Sequence, residues 1–259
     1  MDIALIEEFA FDWVISGKSK MTAEKYTYDL KKFFGKHPTP TLNDAKQWVI
    51  ETSSQVGRRK RGQALRAFDK WLVEQGITEM GWSQQIPLAK EKSLPQTTAT
   101  EADYVKALTC AKTPRDKAVI EVLWSTGVRR SELCALEIGD IDFLGGFIVV
   151  RVSKTGKPRV VPISPATKRA LRKIVYSKKS GTVFGMSPNA VRLLLRRLEA
   201  PSAHAWRRGW AVNALRCGVS ETSVRAAAGW SSGAMVARYT RALSGELAID
   251  EFARLWSRN

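Results

Sequence analysis

Apolar residues recur at helical spacing along almost the whole chain and switch to the two-residue spacing of a strand only once, between Ile141 and Ile163. Such a chain can hide its apolar surface only as packed helices with one small sheet among them. The fold class expected is therefore mainly α with a small antiparallel β-sheet. At 259 residues the chain exceeds one ordinary domain of ~100 to 200 residues, so two domains are expected.

The first helical stretch carries Ile3, Leu5, Ile6, Phe9 and Trp13 and breaks at Ser16 and Gly17. A second starts near Thr22 and runs through Tyr26, Leu30, Phe33 and Phe34, until Pro38 and Pro40 stop it. Leu42 to Glu51 reads as a third. Arg58 to Gln75 reads as a fourth, with Leu65, Phe68, Trp71 and Leu72 facing inward and Arg58, Arg59, Lys60 and Arg61 crowding its start. Residues 1–88 thus form one helical domain, and residues 89–100, polar and without period, form a linker.

Residues 101–259 make the second domain. Thr100 and Asp103 resemble a capping box, and a helix over Arg115 to Trp124 ends at a turn on Gly127. Three strands follow, Ile141 to Phe143, Phe147 to Val152 and Arg159 to Ile163, joined by turns at Gly145-Gly146 and Thr155-Gly156. Helices are then expected at Pro165 to Tyr176, Asn189 to Glu199, Ala205 to Arg216, Ser220 to Ala227, Gly233 to Tyr239 and Glu246 to Ser257.

The net charge of +17 is the first indication of a partner. A surface that basic attracts a polyanion, and nucleic acid comes first, with a membrane surface or an acidic protein behind it. The excess lies in the second domain: residues 1–95 hold 15 Lys and Arg against 12 Asp and Glu, the remainder 27 against 13. No apolar run approaches the ~18 residues of a membrane span. The acidic N-terminus does not read as a secretory signal. Cys110, Cys134 and Cys217 form no spaced pair, and with only His37 and His204 no metal site is expected.

Four segments carry chemistry: STGVRRSELCALEIGDID at 125–142, VSKTGKPRVVPIS at 152–164, HAWR at 204–207 and GWSSGAMVARYTRA at 229–242. In order and spacing they resemble the four signature boxes of the tyrosine recombinases, the phage integrase family. The likeness is firm over residues 101–240 and looser before them. It implies that Arg129 and Arg207 are the two catalytic arginines, with Glu132 one turn along to orient Arg129. It further implies that Lys154 is the lysine of the β-hairpin, His204 the histidine of the HxxR box, and Tyr239 the nucleophile. Trp230 stands nine residues before the tyrosine, where the family more often has histidine.

These residue types suit the reaction. A phosphodiester resists attack because its oxygens are already negative, and guanidinium groups bind the added charge of a pentacoordinate transition state bidentately. A phenol with a pKa of ~10 needs neighbouring cations to favour the phenolate. A lysine on a hairpin can protonate the leaving 5′-hydroxyl, and an indole can donate one N–H to a nonbridging oxygen. Alone, each has a plainer reading: Arg129 a helix-start arginine, Lys154 a solvated turn lysine, His204 a capping histidine, Trp230 a core indole, Tyr239 an edge aromatic. Their order and spacing together outweigh those readings.

The resemblance implies a site-specific recombinase that needs no cofactor and acts through a 3′-phosphotyrosyl intermediate and a Holliday junction. Four protomers would assemble on double-stranded DNA at core attachment sites, from a protein that is monomeric when free, with room for an accessory excision factor. It would work in the cytoplasm of a prokaryotic host, without an arm-binding module. The basic run at 58–61 and the pair Arg192 and Arg196 are candidate DNA contacts, or else ordinary solvated faces. Two other functions fit the same fold: relaxation of supercoils in the manner of a type IB topoisomerase, and DNA binding without catalysis.

Overall fold

The computed structural model describes residues 3–79, 81–88, 97–151, 158–176, 178, 180–233, 236–237, 245, 248–249, 252–253 and 256–257. The chain divides into two compact units, Met1–Leu94 and Pro95–Asn259.

The first unit is built from α1 (Ile3–Ile15), α2 (Lys20–Lys36), α3 (Leu42–Ile50) and α4 (Gln55–Glu74). Each offers one apolar stripe to a shared core of Ile6, Phe9, Leu30, Phe33, Trp48, Leu65, Phe68 and Trp71. Burial of each such side chain contributes about 1.5 to 3 kcal/mol. The Trp71 indole, pressed into this core, donates to Asp12 Oδ2 at 2.9 Å, so its polar edge is not stranded. α4 begins three residues before the expected Arg58 because the Ser54 hydroxyl accepts from the Gly57 N–H. The start of α3 is fixed by a reciprocal capping box between Thr41 and Asp44.

The second unit contains α5 (Glu101–Cys110), α6 (Pro114–Thr126), α7 (Arg130–Ala135), β1 (Ile141–Asp142), β2 (Phe147–Val150), β3 (Arg159–Pro162), α8 (Pro165–Val175), α9 (Pro188–Arg197), α10 (Ala203–Arg216) and α11 (Glu221–Ala228). α6 lies at its centre: six consecutive residues, Ala118, Val119, Ile120, Glu121, Val122 and Leu123, are all buried, which takes in more than a full turn of the helix. Thr113, Ser164 and Ser187 cap α6, α8 and α9, each followed by a proline whose missing N–H would have had no partner there. Thr100 and Asp103 close a complete capping box at α5.

The strands form one antiparallel sheet in the order β1-β2-β3, with Ile148 opposite both Ile141 and Val161. Asp142 Oδ1 accepts from the N–H groups of Leu144 and Gly145, which tightens the turn into β2. β1 stops one residue short of the sequence expectation, and β2 ends at Val150 with Arg151 outside the strand, while Val152 lies outside the described residues. The expected β2–β3 turn at Thr155-Gly156, most of the expected helix at 233–239 and much of that at 246–257 lie outside the described residues.

Candidate active site

The site is assembled around the turn that ends α6. Gly127 sits in the left-handed region at φ 56°, which spares a residue the steric cost of a side chain there, and a Cβ would also strike the Trp210 ring. The reversal delivers Arg129 to the cap position of α7. Its own N–H donates to Glu132 Oε2 at 2.7 Å and its Nη1 to Glu132 Oε1 at 2.7 Å. The family resemblance implied that Glu132 orients Arg129, and these two bonds join the pair.

Arg207 lies on α10 and is 2% exposed. Its Nη1 donates to Gly127 O at 2.7 Å and its Nη2 to Ala228 O at 2.6 Å. The guanidinium therefore ties the Gly127 turn, two residues before Arg129, to the end of α11, two residues before Trp230. The buried Trp230 ring lies 5.1 Å from the Arg207 Cζ. That distance is within reach of a cation–π attraction. Another left-handed glycine, Gly229 at φ 65°, turns the chain from α11 into Trp230.

His204 stands in the first turn of α10, three residues before Arg207 and on the same face. Its pKa is lowered, first by desolvation from the surrounding protein, although the residue as a whole is exposed, and then by the charges of Arg208, Arg207, Arg129 and Arg130. The imidazole is therefore the neutral form at physiological pH. Arg129 and Arg207 thus both lie near enough to His204 for their charges to depress its pKa.

Glu132 is the acidic counterweight. Burial raises the pKa of its carboxyl, but hydrogen bonds from Arg159 and Arg129, together with the Arg159 charge, outweigh this and hold it at about 2. The ordinary value is 4.5, so the stabilisation is complete above about pH 5 and drains away as pH falls through 4.5 towards 2. Between pH 6 and pH 3 the protein should lose about 2 kcal/mol more stability than a Glu132→Gln variant, read by denaturant unfolding. Parallel loss in the two proteins would contradict this.

Sequence reasoning missed Arg159 and Arg130. Arg159, on β3, grips the same carboxylate as Arg129. Arg130 joins Arg192, Arg196, Ser202 and Ala203 around a shallow concavity of ≈ 220 Å³. Its signal was present as the second arginine of the VRRSEL segment. Of the expected DNA contacts, Arg192 and Arg196 are exposed on α9, and Arg192 is braced by Asn189 Oδ1. In the other unit Arg58 and Lys60 are exposed and Arg59 is half-buried. Arg61 is turned inward, with its Cζ 3.9 Å from the Trp48 ring centroid and Nη1 bonded to Trp48 O at 2.6 Å. Lys154 and Tyr239 lie outside the described residues.

Among the described residues no group of three His, Cys, Asp or Glu could hold a metal ion, and no helix is long and apolar enough to cross a membrane.

A family model for the phage integrases matches residues 98–246. The tyrosine recombinase XerA of Pyrococcus horikoshii is 29% identical over 94% of this chain and 90% of its own length. XerA of Pyrococcus furiosus is 33% identical over 61% of this chain and 56% of its own. Among solved structures, a lambda integrase dimer bound to a COC′ core site superposes with a TM-score of 0.76 at 18% identity, over 90% of this chain and 96% of that one. A XerA recombinase crystal structure gives 0.52 at 20% identity, over 92% of both chains.

The family match and the tyrosine recombinase relatives define an enzyme that breaks and rejoins DNA strands, of the tyrosine site-specific recombinase class. The chain belongs to the phage integrase family.

Proposed function

We propose that the protein cleaves one DNA strand at a time with Tyr239, using Arg129, His204, Arg207 and Trp230 around the scissile phosphate and Lys154 as the leaving-group acid. The observation that carries this reading is the joint placement of Arg129, His204 and Arg207 by the Gly127 turn and α10. The Tyr239 phenol oxygen attacks phosphorus and gives up its proton, which the neutral His204 imidazole can accept. The bond from phosphorus to the 5′-oxygen breaks, and that oxygen takes a proton from Lys154. The products are a 3′-phosphotyrosyl link and a free 5′-hydroxyl, and the reverse step with a partner strand reseals the backbone. Because each ester replaces another, bond energy is retained and no nucleotide cofactor is required.

The chain is a DNA-acting recombinase. Finer features follow as parts of the same proposal. The first unit binds core-site DNA through the Arg58, Arg59 and Lys60 segment, and Arg61 supports that segment by stacking on Trp48. The concavity of Arg130, Arg192 and Arg196 receives backbone phosphate. A structural neighbour, lambda integrase, has been seen as a tetramer bound to a Holliday junction. The exposed Ile249, Phe252 and Trp256 near the C-terminus of this chain fit burial against another protomer in such an assembly. A protein that is monomeric when free, cytoplasmic, and open to an excision factor completes the picture.

Since basic side chains supply the binding, affinity should fall steeply with salt. With roughly six to ten phosphates contacted, a loss of roughly 10³- to 10⁵-fold is expected between about 50 and 200 mM salt, read by equilibrium titration. A flat dependence would contradict an electrostatic interface. The chemistry is tested by offering the protein nicked duplexes drawn from the DNA flanking its own gene. Covalent attachment at a 3′ end, with strand exchange between two duplexes, is expected. Attachment at a 5′ end would overturn the proposed polarity. Supercoil relaxation with no strand exchange would favour the topoisomerase reading.

A further inference from the structure

We propose that Arg159 is a positioning residue for cleavage. By sharing the Glu132 carboxylate with Arg129, it fixes the Arg129 guanidinium and keeps that guanidinium's charge available to the scissile phosphate. The inference rests on the reading of Arg129 as a phosphate-binding residue.

Each oxygen of Glu132 receives one bond from each arginine. Oε1 accepts from Arg129 Nη1 at 2.7 Å and Arg159 Nη1 at 3.0 Å. Oε2 accepts from the Arg129 N–H at 2.7 Å and Arg159 Nη2 at 2.7 Å. A carboxylate offers about four lone-pair directions, so these four bonds saturate it and settle the plane of the group. Arg129 is thereby held in one orientation. The third arm of Arg159, Nε, donates to Ala227 O at 2.7 Å, on α11 and three residues before Trp230. The Arg159 side chain is 7% exposed, with all three nitrogens committed to protein acceptors, so its influence on DNA passes through its neighbours.

Charge gives the arrangement its purpose. Glu132 alone would neutralise Arg129 at close range and leave a salt bridge with little field to offer an anion. With Arg159 as a second cation on the same carboxylate, the trio keeps a net charge of about +1 for the phosphate. A strand residue of purely structural function would have no such electrostatic consequence.

The test is single-turnover cleavage by the full chain on a nicked duplex, comparing an ordinary scissile phosphate with a methylphosphonate. The methyl group removes the nonbridging charge that Arg129 would meet. Arg159→Met should slow cleavage of the phosphate by about 100-fold, yet slow the methylphosphonate by no more than about threefold relative to the parent protein. Adding Glu132→Gln to Arg159→Met removes the uncompensated carboxylate and should restore at least about tenfold on the phosphate. Arg159→Lys keeps the charge without the fork, so a loss of about tenfold confined to the phosphate is expected, and this variant decides the matter if Arg159→Met fails to fold. Equal losses on both substrates, with no recovery in the double variant, would overturn the proposal. If the parent protein itself forms no adduct on either substrate, the assignment of the active site fails instead.

Discussion

Arg207→Ala should lose both catalysis and stability. Cleavage in a single turnover is expected to fall by at least roughly 10²- to 10³-fold, because the cation proposed to face the transition-state charge disappears. Stability should drop by about 3 kcal/mol or more, because Gly127 O and Ala228 O lose charge-assisted donors in a buried setting. The two losses share one cause, since the guanidinium that would bind phosphate also joins the turn bearing Arg129 to the segment bearing Trp230. Arg207→Lys should recover little of either, because an ammonium has no planar fork to span two carbonyls. Thermal unfolding alongside the rate measurement separates the effects. A folded Arg207→Ala protein that cleaves at the parent rate would remove Arg207 from the site.

Tyr239→Phe should behave in the opposite manner, with total loss of covalent adduct and affinity for DNA within about twofold of the parent, since only the attacking oxygen is deleted. Trapped complexes resolved under denaturing conditions give the first quantity and equilibrium titration the second. Persistent adduct in the variant would mean that another residue carries the nucleophile.

The sequence revealed element types better than element ends. Helices with one apolar stripe and the single period-two stretch were legible because burial dictates their spacing. Their starts were displaced by a residue or more where serine caps act. Ser54, Ser187 and Ser202 each accept a backbone N–H, and so α4, α9 and α10 begin before the periodic apolar residues do. The partnership of Glu132 with Arg129 was implied by the motif resemblance, because both residues lie within one signature segment, three residues apart. The bond from Arg159 to the same carboxylate was not, because 27 residues separate them and only the fold brings β3 to the start of α7. Arg61 shows the same limit: within a basic run it resembles its neighbours, but an indole on the preceding helix draws it inward. Lys154 and Tyr239 rest on their motifs, whose order along the chain carries the information.

The central claim is that Tyr239 becomes covalently joined to the 3′ end of a cut strand. Its most direct measurement is mass analysis of the peptides from a trapped complex on a nicked duplex, after nuclease trimming and protease digestion. A nucleotide linked through its 3′-phosphate to Tyr239 is the predicted result. The same modification on a different side chain, or a 5′ linkage, would contradict the account.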